Sequence, residues 1–467
     1  MKTKKINYVY KTEPYDHQKD VLEVSWAARY WALFLEMGTG KSKIICDTIG
    51  MLYERKEINA ALILAPKGVF DNWVKGEIPT HLPDRIERNV LRWTPSKTKA
   101  FQEKLRAITY EDSEDLKIFV MNIEAFSSAR GTKAAQTFLN SNPDNIVVVD
   151  ESTTIKNRKA ARTKNIVDLE ELSKYRRILT GSPVTKSPMD LFSQCLFLSP
   201  RALGFNSFFA FQGRYAMVQR RTMGHRSFQE IVGYRRLDEL NEKLLQFSSR
   251  ILKEDCLDLP PRIYVRREVE LTDEQAKLYT QMKRLALAQL NNGELATTSS
   301  VLTQIMRLQQ ICCGFLQPDE GPIEPLPNNR LSGLMSAIDE TQGKVIIWAS
   351  YTYDIQRITS ALRDRFGPEA VATYYGATPQ DERQDIIEKF QDVNSELRFF
   401  VGQPKTGGFG ITLHAASTMI YFSNSYDLEI RLQSESRAHR INQTKSVTYI
   451  DLVSPNTIDE KVLNALR

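Results

Sequence analysis

Lys41 and Ser42 close the run Leu35-Glu36-Met37-Gly38-Thr39-Gly40-Lys41-Ser42, which follows a short apolar stretch at 31–35. Gly38 and Gly40 let the backbone approach a bound anion, and a helix opening at Lys41 offers its first free N–H groups to negative charge. In such a cradle, with Thr39 between the glycines, Lys41 reaches the β- and γ-phosphates of a nucleotide and Ser42 sets its hydroxyl on Mg²⁺. The general pattern asks for glycine five residues before Gly40, where this chain has Leu35. Asp150-Glu151 end a second apolar stretch, 145–149. Both carboxylates then fall at the C-terminal end of a strand, the edge at which open parallel sheets bind ligands. Asp150 is suited to hold Mg²⁺ through water, and Glu151 to orient and deprotonate an attacking water. Loop and acids together predict a motor or switch driven by ATP or GTP.

These groups need a parallel sheet to hold them. Apolar strands at 61–65, 117–121, 146–149 and 177–179 alternate with helical stretches, which is the pattern of a parallel α/β lobe over residues 1–200. A loop with four prolines and two glycines spans 314–330. Beyond it the strand pattern resumes at 344–348, 370–373, 397–401, 418–422 and 446–451 and predicts a second lobe, within 259–467. Amphipathic helical segments cover 272–293 and 301–313. The expected class is α/β, two tandem parallel-sheet lobes with a helical and β-hairpin insertion at 201–258.

Further segments follow in order: Leu179-Thr180-Gly181-Ser182-Pro183; Tyr375-Gly376-Ala377-Thr378 with Arg383 and Phe390; Gly407-Gly408-Phe409-Gly410-Ile411-Thr412-Leu413; and Gln433-Ser434-Glu435-Ser436-Arg437-Ala438-His439-Arg440-Ile441-Asn442-Gln443. This series resembles the helicase motifs of superfamily two. Four features resemble its Swi/Snf-type DNA translocase branch: Ile155-Lys156-Asn157, the Asn72-Trp73 that ends 66–73, the stretch from Leu252-Lys253-Glu254-Asp255 to Leu259-Pro260, and Arg307-Leu308-Gln309-Gln310-Ile311-Cys312. The resemblance implies RecA-like lobes, with ATP and Mg²⁺ bound between them. It implies that Gln18 reads the adenine edge and that Thr180 and Ser182 couple phosphate state to lobe movement. It implies further that Gly408 and Gly410 line the cleft and that Arg437 and Arg440, one helical turn apart, meet the γ-phosphate. An arginine finger of that kind is worth roughly a thousandfold or more in phosphoryl transfer. The chain departs from the family at Ser152-Thr153, where Ala-His is usual at the position linking hydrolysis to DNA contact. DNA phosphates are expected at 66–73 and 376–383.

From Arg214 to Arg236 there are six arginines (Arg214, Arg220, Arg221, Arg226, Arg235, Arg236) and one acid, Glu230. Phe208, Phe209, Phe211, Tyr215, Phe228 and Tyr234 lie in or just before this stretch. Arginine holds phosphates and stacks on bases, and aromatic rings stack on exposed bases. The two arms, 215–222 and 226–233, around Met223-Gly224-His225 read as a hairpin. Either it touches DNA, as a wedge at a fork or junction, or it is a solvated insertion whose aromatics pack on the first lobe.

A net charge of +6 permits nucleic-acid binding without requiring it. No run of eighteen apolar residues is present, which excludes a membrane-spanning helix. The basic N-terminus has no apolar run behind it, so no secretory signal is read. Five cysteines without paired spacing read as reduced core thiols, and five scattered histidines form no metal constellation. The segments outside 15–453 are short, so the resemblance implies a minimal, extension-free motor. It would be monomeric and cytoplasmic, in a bacterial, archaeal or virus-infected cell. Its expected partners are duplex or branched DNA and replication or recombination proteins, and its work branch migration, fork reversal or local unwinding. The alternatives are an RNA-directed helicase of the same superfamily, a protein-displacing ATPase that does not separate strands, and a non-motor ATP switch.

Overall fold

The computed structural model describes residues 8–466 apart from 68, 186, 206, 224–225, 257–258, 292–297, 380–381, 408–410 and 441–442. Two compact units divide the chain, Met1–Leu257 and Asp258–Arg467.

The first unit holds β1 (Tyr30–Leu35), β2 (Ala60–Ala65), β3 (Arg88–Arg92), β4 (Leu116–Asn122), β5 (Asn145–Asp150), β6 (Tyr175–Leu179), β7 (Ala216–Met223), β8 (Arg226–Tyr234) and β9 (Ser248–Ile251). Seven of these form a parallel sheet in the order β3-β4-β2-β5-β6-β1-β9. Every residue of β2 and of β5 is buried, which is why both read as unbroken apolar runs; a parallel strand is covered on both faces. Ala32, Phe34, Leu62, Leu64, Phe119, Met121, Val147 and Val149 supply one layer of the core. Leu33, Leu35, Ile63, Val120 and Val148 alternate with them and are buried as well.

β7 and β8 pair antiparallel as a separate ribbon, from Ala216↔Tyr234 to Met223↔Arg226. Its root is packed: Phe211 and Tyr215 are fully buried, with Phe192, Phe205 and Phe208 against them. After the ribbon the chain returns to the sheet as β9, beside β1.

The second unit carries β10 (Arg262–Glu268), β11 (Phe315–Leu316), β12 (Glu324–Pro325), β13 (Lys344–Trp348), β14 (Val371–Tyr374), β15 (Phe399–Gly402), β16 (Ala416–Tyr421) and β17 (Val447–Val453). Six make a parallel sheet in the order β10-β17-β16-β13-β15-β14. The proline-rich loop contains only the two-residue ribbon β11–β12. Helices Asp273–Asn291 and Thr298–Cys313 pack together before it. Arg330, fully buried, donates to Asp459 Oδ2 (2.6 Å), Leu452 O (2.6 Å) and Phe422 O (2.8 Å), fastening the start of helix Arg330–Asp339 to the strand ends. Among the described residues no helix is long and apolar enough to cross a membrane, and all five cysteines are free thiols.

Candidate active site

Sheet register gathers the chemistry of the first unit. Leu179 at the end of β6 pairs with Leu33 of β1 on one side and with Asp150 of β5 on the other. The turn 36–40, the acids 150–151 and the loop 180–183 therefore leave three adjacent strands at one C-terminal edge. With strands about 4.8 Å apart, β1 and β5 lie roughly 10 Å from each other.

Gly38 (φ 85°) and Gly40 (φ 92°) carry the turn through left-handed backbone, where a Cβ is disfavoured, and helix Lys41–Glu54 starts directly after it. Lys41 lies back across the turn, its Nζ donating to Leu35 O at 3.0 Å in a buried site. Thr39 Oγ1 donates to Glu36 O (2.7 Å). Gln18 is buried, and its Nε2 donates to Thr39 O (3.0 Å) while its Oε1 accepts from Tyr15 N (3.1 Å). Each end of this amide thus has a partner within the protein, the donor end on the turn itself. A Cβ on Gly40 would stand 2.1 Å from Gln18 Nε2, so glycine is needed here for space as well as for φ.

Two N–H groups hold the carboxylate of Asp150. Oδ1 accepts from the Glu151 backbone at 2.9 Å, and Oδ2 accepts from the indole Nε1 of Trp73 at 2.9 Å. Glu151 sits at φ 48°, a left-handed conformation that costs about 1–2 kcal/mol for a residue with a Cβ. Strain of this kind is retained where surrounding structure fixes a side chain. Ser42 and Asp150 offer hard oxygen donors, the set that suits Mg²⁺, which binds through one or two carboxylates plus substrate phosphates. Among the described residues there is no group of three or more His, Cys, Asp or Glu that could hold a metal ion. When bound, the ion neutralises charge on the phosphates.

Beyond the acids, Ser152 Oγ donates to Gln194 Oε1 (2.7 Å), and Gln194 Nε2 donates to Pro183 O (2.9 Å) and Asp190 O (2.8 Å). Lys156 Nζ donates to Thr185 Oγ1 at 2.7 Å. The acid loop is therefore tied twice to the segment that begins Thr180-Gly181-Ser182-Pro183. That segment also meets the phosphate turn: a Cβ on Gly181 would lie 3.2 Å from the Met37 backbone nitrogen. Arg250 of β9 donates to Phe34 O (3.1 Å) and Gly181 O (2.9 Å), linking β1 to the loop after β6 from the sheet edge. Burial lowers its guanidinium pKa. Lys253 N donates to Glu36 Oε2 (2.9 Å). Trp73, Gln194, Arg250 and Lys253 had no assigned role in the sequence; Trp73 and Lys253 lie within motif segments, but their partners are set by tertiary packing.

In the second unit, Arg437 Nε donates to Gln433 O (2.9 Å) and its Nη1 to Ile411 O (3.2 Å); Arg440 Nη1 donates to Thr412 Oγ1 (2.6 Å). The expected helical spacing of these arginines is corrected: helix Leu428–Glu435 stops before them, Ser436 Oγ turning back to Gln433 O, and both lie in turns. They nevertheless converge on the same stretch, Ile411-Thr412. Gly408 and Gly410 lie outside the described residues. Arg383 donates to Thr378 O (3.2 Å) and Tyr375 O (3.1 Å), shaping the turn whose Gly376 faces open space.

Four of the six arginines of the ribbon region separate into two pairs. Arg214 pairs with Glu239 (2.5 Å) and Arg235 Nη2 donates to Gly213 O (2.6 Å), so both secure the root. Arg220 and Arg221 project from the arm, exposed, with Arg221 paired to Glu230. Arg236 is exposed at φ 57°; the side chain of Arg226 lies outside the described residues.

A sheet that presents a glycine turn with Lys-Ser, an Asp-Glu pair and a Thr-Gly-Ser loop on one edge defines the class: a helicase-type nucleotide-hydrolysing core. The description "SNF2-related domain" matches residues 17–315, and "Helicase conserved C-terminal domain" matches 329–442. The chain belongs to the SNF2-related family, as the motif series implied. Similar proteins include the SWI/SNF chromatin-remodeling complex subunit snf22 of Schizosaccharomyces pombe, 26% identical over 92% of this chain and 26% of that protein. The uncharacterized ATP-dependent helicase MG018 of Mycoplasma genitalium is 26% identical (91% and 38%), and the putative ATP-dependent helicase/translocase YwqA of Bacillus subtilis 25% (92% and 46%). The chain spans less than half the length of each of these relatives. A Sulfolobus solfataricus SWI2/SNF2 ATPase core in complex with dsDNA covers 98% of the chain, and the chain covers 91% of it, at 23% identity and a TM-score of 0.44.

Proposed function

We propose that the chain is an ATP-dependent translocase that moves on duplex DNA and remodels branched DNA by branch migration, fork reversal or local unwinding. The observation that carries the nucleotide part is the shared sheet edge at which Leu179 brings the phosphate turn and Asp150-Glu151 to either side of Thr180-Gly181-Ser182. Lys41 holds the phosphates, Asp150 and Ser42 the magnesium, and Glu151 takes the proton of the attacking water. Arg437 and Arg440 supply positive charge to the γ-phosphate during transfer. Family membership supports DNA as the track, and the exposed arginines of the β7–β8 arm support a contact with it. Phosphate contacts make such binding fall steeply with salt.

The deciding experiment is steady-state ATP hydrolysis with blunt duplex, single strand, fork and four-way junction at one salt concentration, in wild type, Lys41→Ala and Glu151→Gln. Selective stimulation by fork and junction, lost in both variants, is the expected result. Stimulation that survives either substitution refutes the site; equal stimulation by RNA and DNA duplexes refutes the track. The likeness to subunits of chromatin-remodeling complexes favours one second reading, displacement of DNA-bound protein without strand separation. Equal stimulation by plain duplex and branched DNA would favour it.

A further inference from the structure

Trp73 joins two regions that serve different ligands. Its side chain is completely buried, and its indole N–H is bound to Oδ2 of Asp150, the magnesium carboxylate of the proposed site. Its backbone ends the 66–73 segment, where phosphates of the nucleic-acid track are expected. Residues 70–73 of it are tightly tied. Arg92 pairs with Asp71 and stacks over Phe70 at 4.5 Å, and Asn72 Nδ2 donates to Glu77 Oε1 at 3.0 Å. A π-helix, Trp73–Glu77, begins at Trp73 itself. Such one-turn widenings of a helix are rare and recur at functional sites. Gly76 completes the turn without slack, since a Cβ there would stand 2.7 Å from Asn72 Oδ1.

An N–H donated to a carboxylate that holds a metal fixes which lone pairs face the ion, and removing such a partner costs about 10–100-fold in metal affinity or activity. The Glu151 backbone already holds Oδ1. The indole therefore shares in orienting the carboxylate, and it is carried by the segment that ends at Trp73.

We propose that Trp73 is a positioning residue that couples Phe70–Asn72, within the stretch where nucleic-acid phosphates are expected, to the Asp150 carboxylate, so that nucleic acid seated on the one sets magnesium affinity at the other. Coupling of this kind is reciprocal: DNA tightens Mg²⁺-nucleotide binding by the same factor by which Mg²⁺-nucleotide tightens DNA binding. The inference rests on the nucleotide-site reading above.

The test is a Mg²⁺ titration of the binding of a fluorescent, non-hydrolysable ATP analogue to the full chain, with and without duplex DNA. Wild type, Trp73→Phe and Lys41→Ala are compared. In wild type, DNA lowers the Mg²⁺ concentration at half-saturation. Trp73→Phe keeps a buried ring and removes the N–H; it raises that concentration about tenfold and abolishes the effect of DNA. A purely structural tryptophan would lower the melting temperature and leave both readouts unmoved. Unchanged Mg²⁺ dependence in Trp73→Phe overturns the proposal. So does a shifted dependence with the DNA effect intact, or a wild type indifferent to DNA. If Lys41→Ala binds the analogue like wild type, it is the nucleotide site that has been misassigned. Should Trp73→Phe not fold, benzothienylalanine at position 73, with sulfur in place of the N–H, makes the same comparison.

Discussion

The hydrogen bond from Ser152 to Gln194 stands beside the catalytic acids and can be weighed by a double-mutant cycle. Both side chains are inaccessible to solvent. Ser152→Ala leaves Gln194 Oε1 without its donor, at about 1 kcal/mol or somewhat more for a buried unsatisfied group. Gln194→Leu is costlier: it strips Ser152 of its acceptor and takes a donor from Pro183 O and from Asp190 O, about 3 kcal/mol on the same scale. In the double variant the Ser152 hydroxyl and Gln194 Oε1 are both gone, and only the two carbonyl losses remain, about 2 kcal/mol. The singles therefore sum to about 4 kcal/mol against about 2 for the pair, a coupling of roughly 2 kcal/mol. Urea denaturation followed by tryptophan fluorescence suits the measurement, because Trp26, Trp31, Trp73 and Trp93 lie in the first unit and only Trp348 in the second. Additivity within about 0.5 kcal/mol would falsify the reasoning. Since the same bond ties the acid loop to Pro183, each variant, single or double, is also expected to lose DNA-stimulated ATP turnover.

Three other expectations follow from particular side chains. Gly40→Ala puts a methyl where Gln18 Nε2 stands and adds about 1–2 kcal/mol of backbone strain; nucleotide affinity measured by calorimetry falls, and adding Gln18→Ala restores part of it by vacating the space. Arg220→Ala with Arg221→Ala lowers DNA affinity and reduces the salt slope by about one for each phosphate left without its arginine. Arg214→Ala instead lowers the melting temperature, because its guanidinium is bound to Glu239 at the ribbon's root. Asp354, fully buried beside Arg357, has its carboxyl pushed by burial from 3.8 up to about 6. Between those values the folded state binds more protons than the unfolded one, so this group's contribution to stability falls as pH rises through the window and is level above it. The unfolding free energy of wild type relative to Asp354→Asn should move against wild type from about pH 4 to about pH 6.5 and then stay constant.

The strands legible in the sequence were mostly those buried on both faces, though the half-buried edge strand β14 was read as well, at 370–373. β2, β4 and β5 are apolar runs because neighbours cover them above and below, and their ends placed Asp150-Glu151 without further information. β3, β9 and β10 left no such trace. They are edge strands, and Arg88, Arg92, Arg250, Arg262, Arg266 and Arg267 make them look like surface. Missing β9 hid Arg250, whose two carbonyl partners, in β1 and in the loop after β6, are more than 60 residues away in the chain. The phosphate turn was readable because glycine and Lys-Ser report a local requirement. The clasp of Gln18 on Thr39 and of Trp73 on Asp150 was not, since each depends on elements joined only by the sheet. The end of helix Leu428–Glu435 before Arg437 was missed because no glycine or proline marks the stop.

The return of the chain from the β7–β8 ribbon as β9 has a mechanical meaning. β9 lies parallel to β1 over four residue pairs, Ala32↔Ser248 to Leu35↔Ile251, and Trp31 Nε1 adds a bond to Ser249 Oγ at 3.0 Å. A pull on the ribbon directed along β9 loads those bonds in shear, all together, rather than peeling them apart one by one. Shear is the stiffer arrangement, and the strand it loads ends at the turn that carries Lys41. The ribbon is thus mounted like an oar in its rowlock, with the fulcrum set against the phosphate turn.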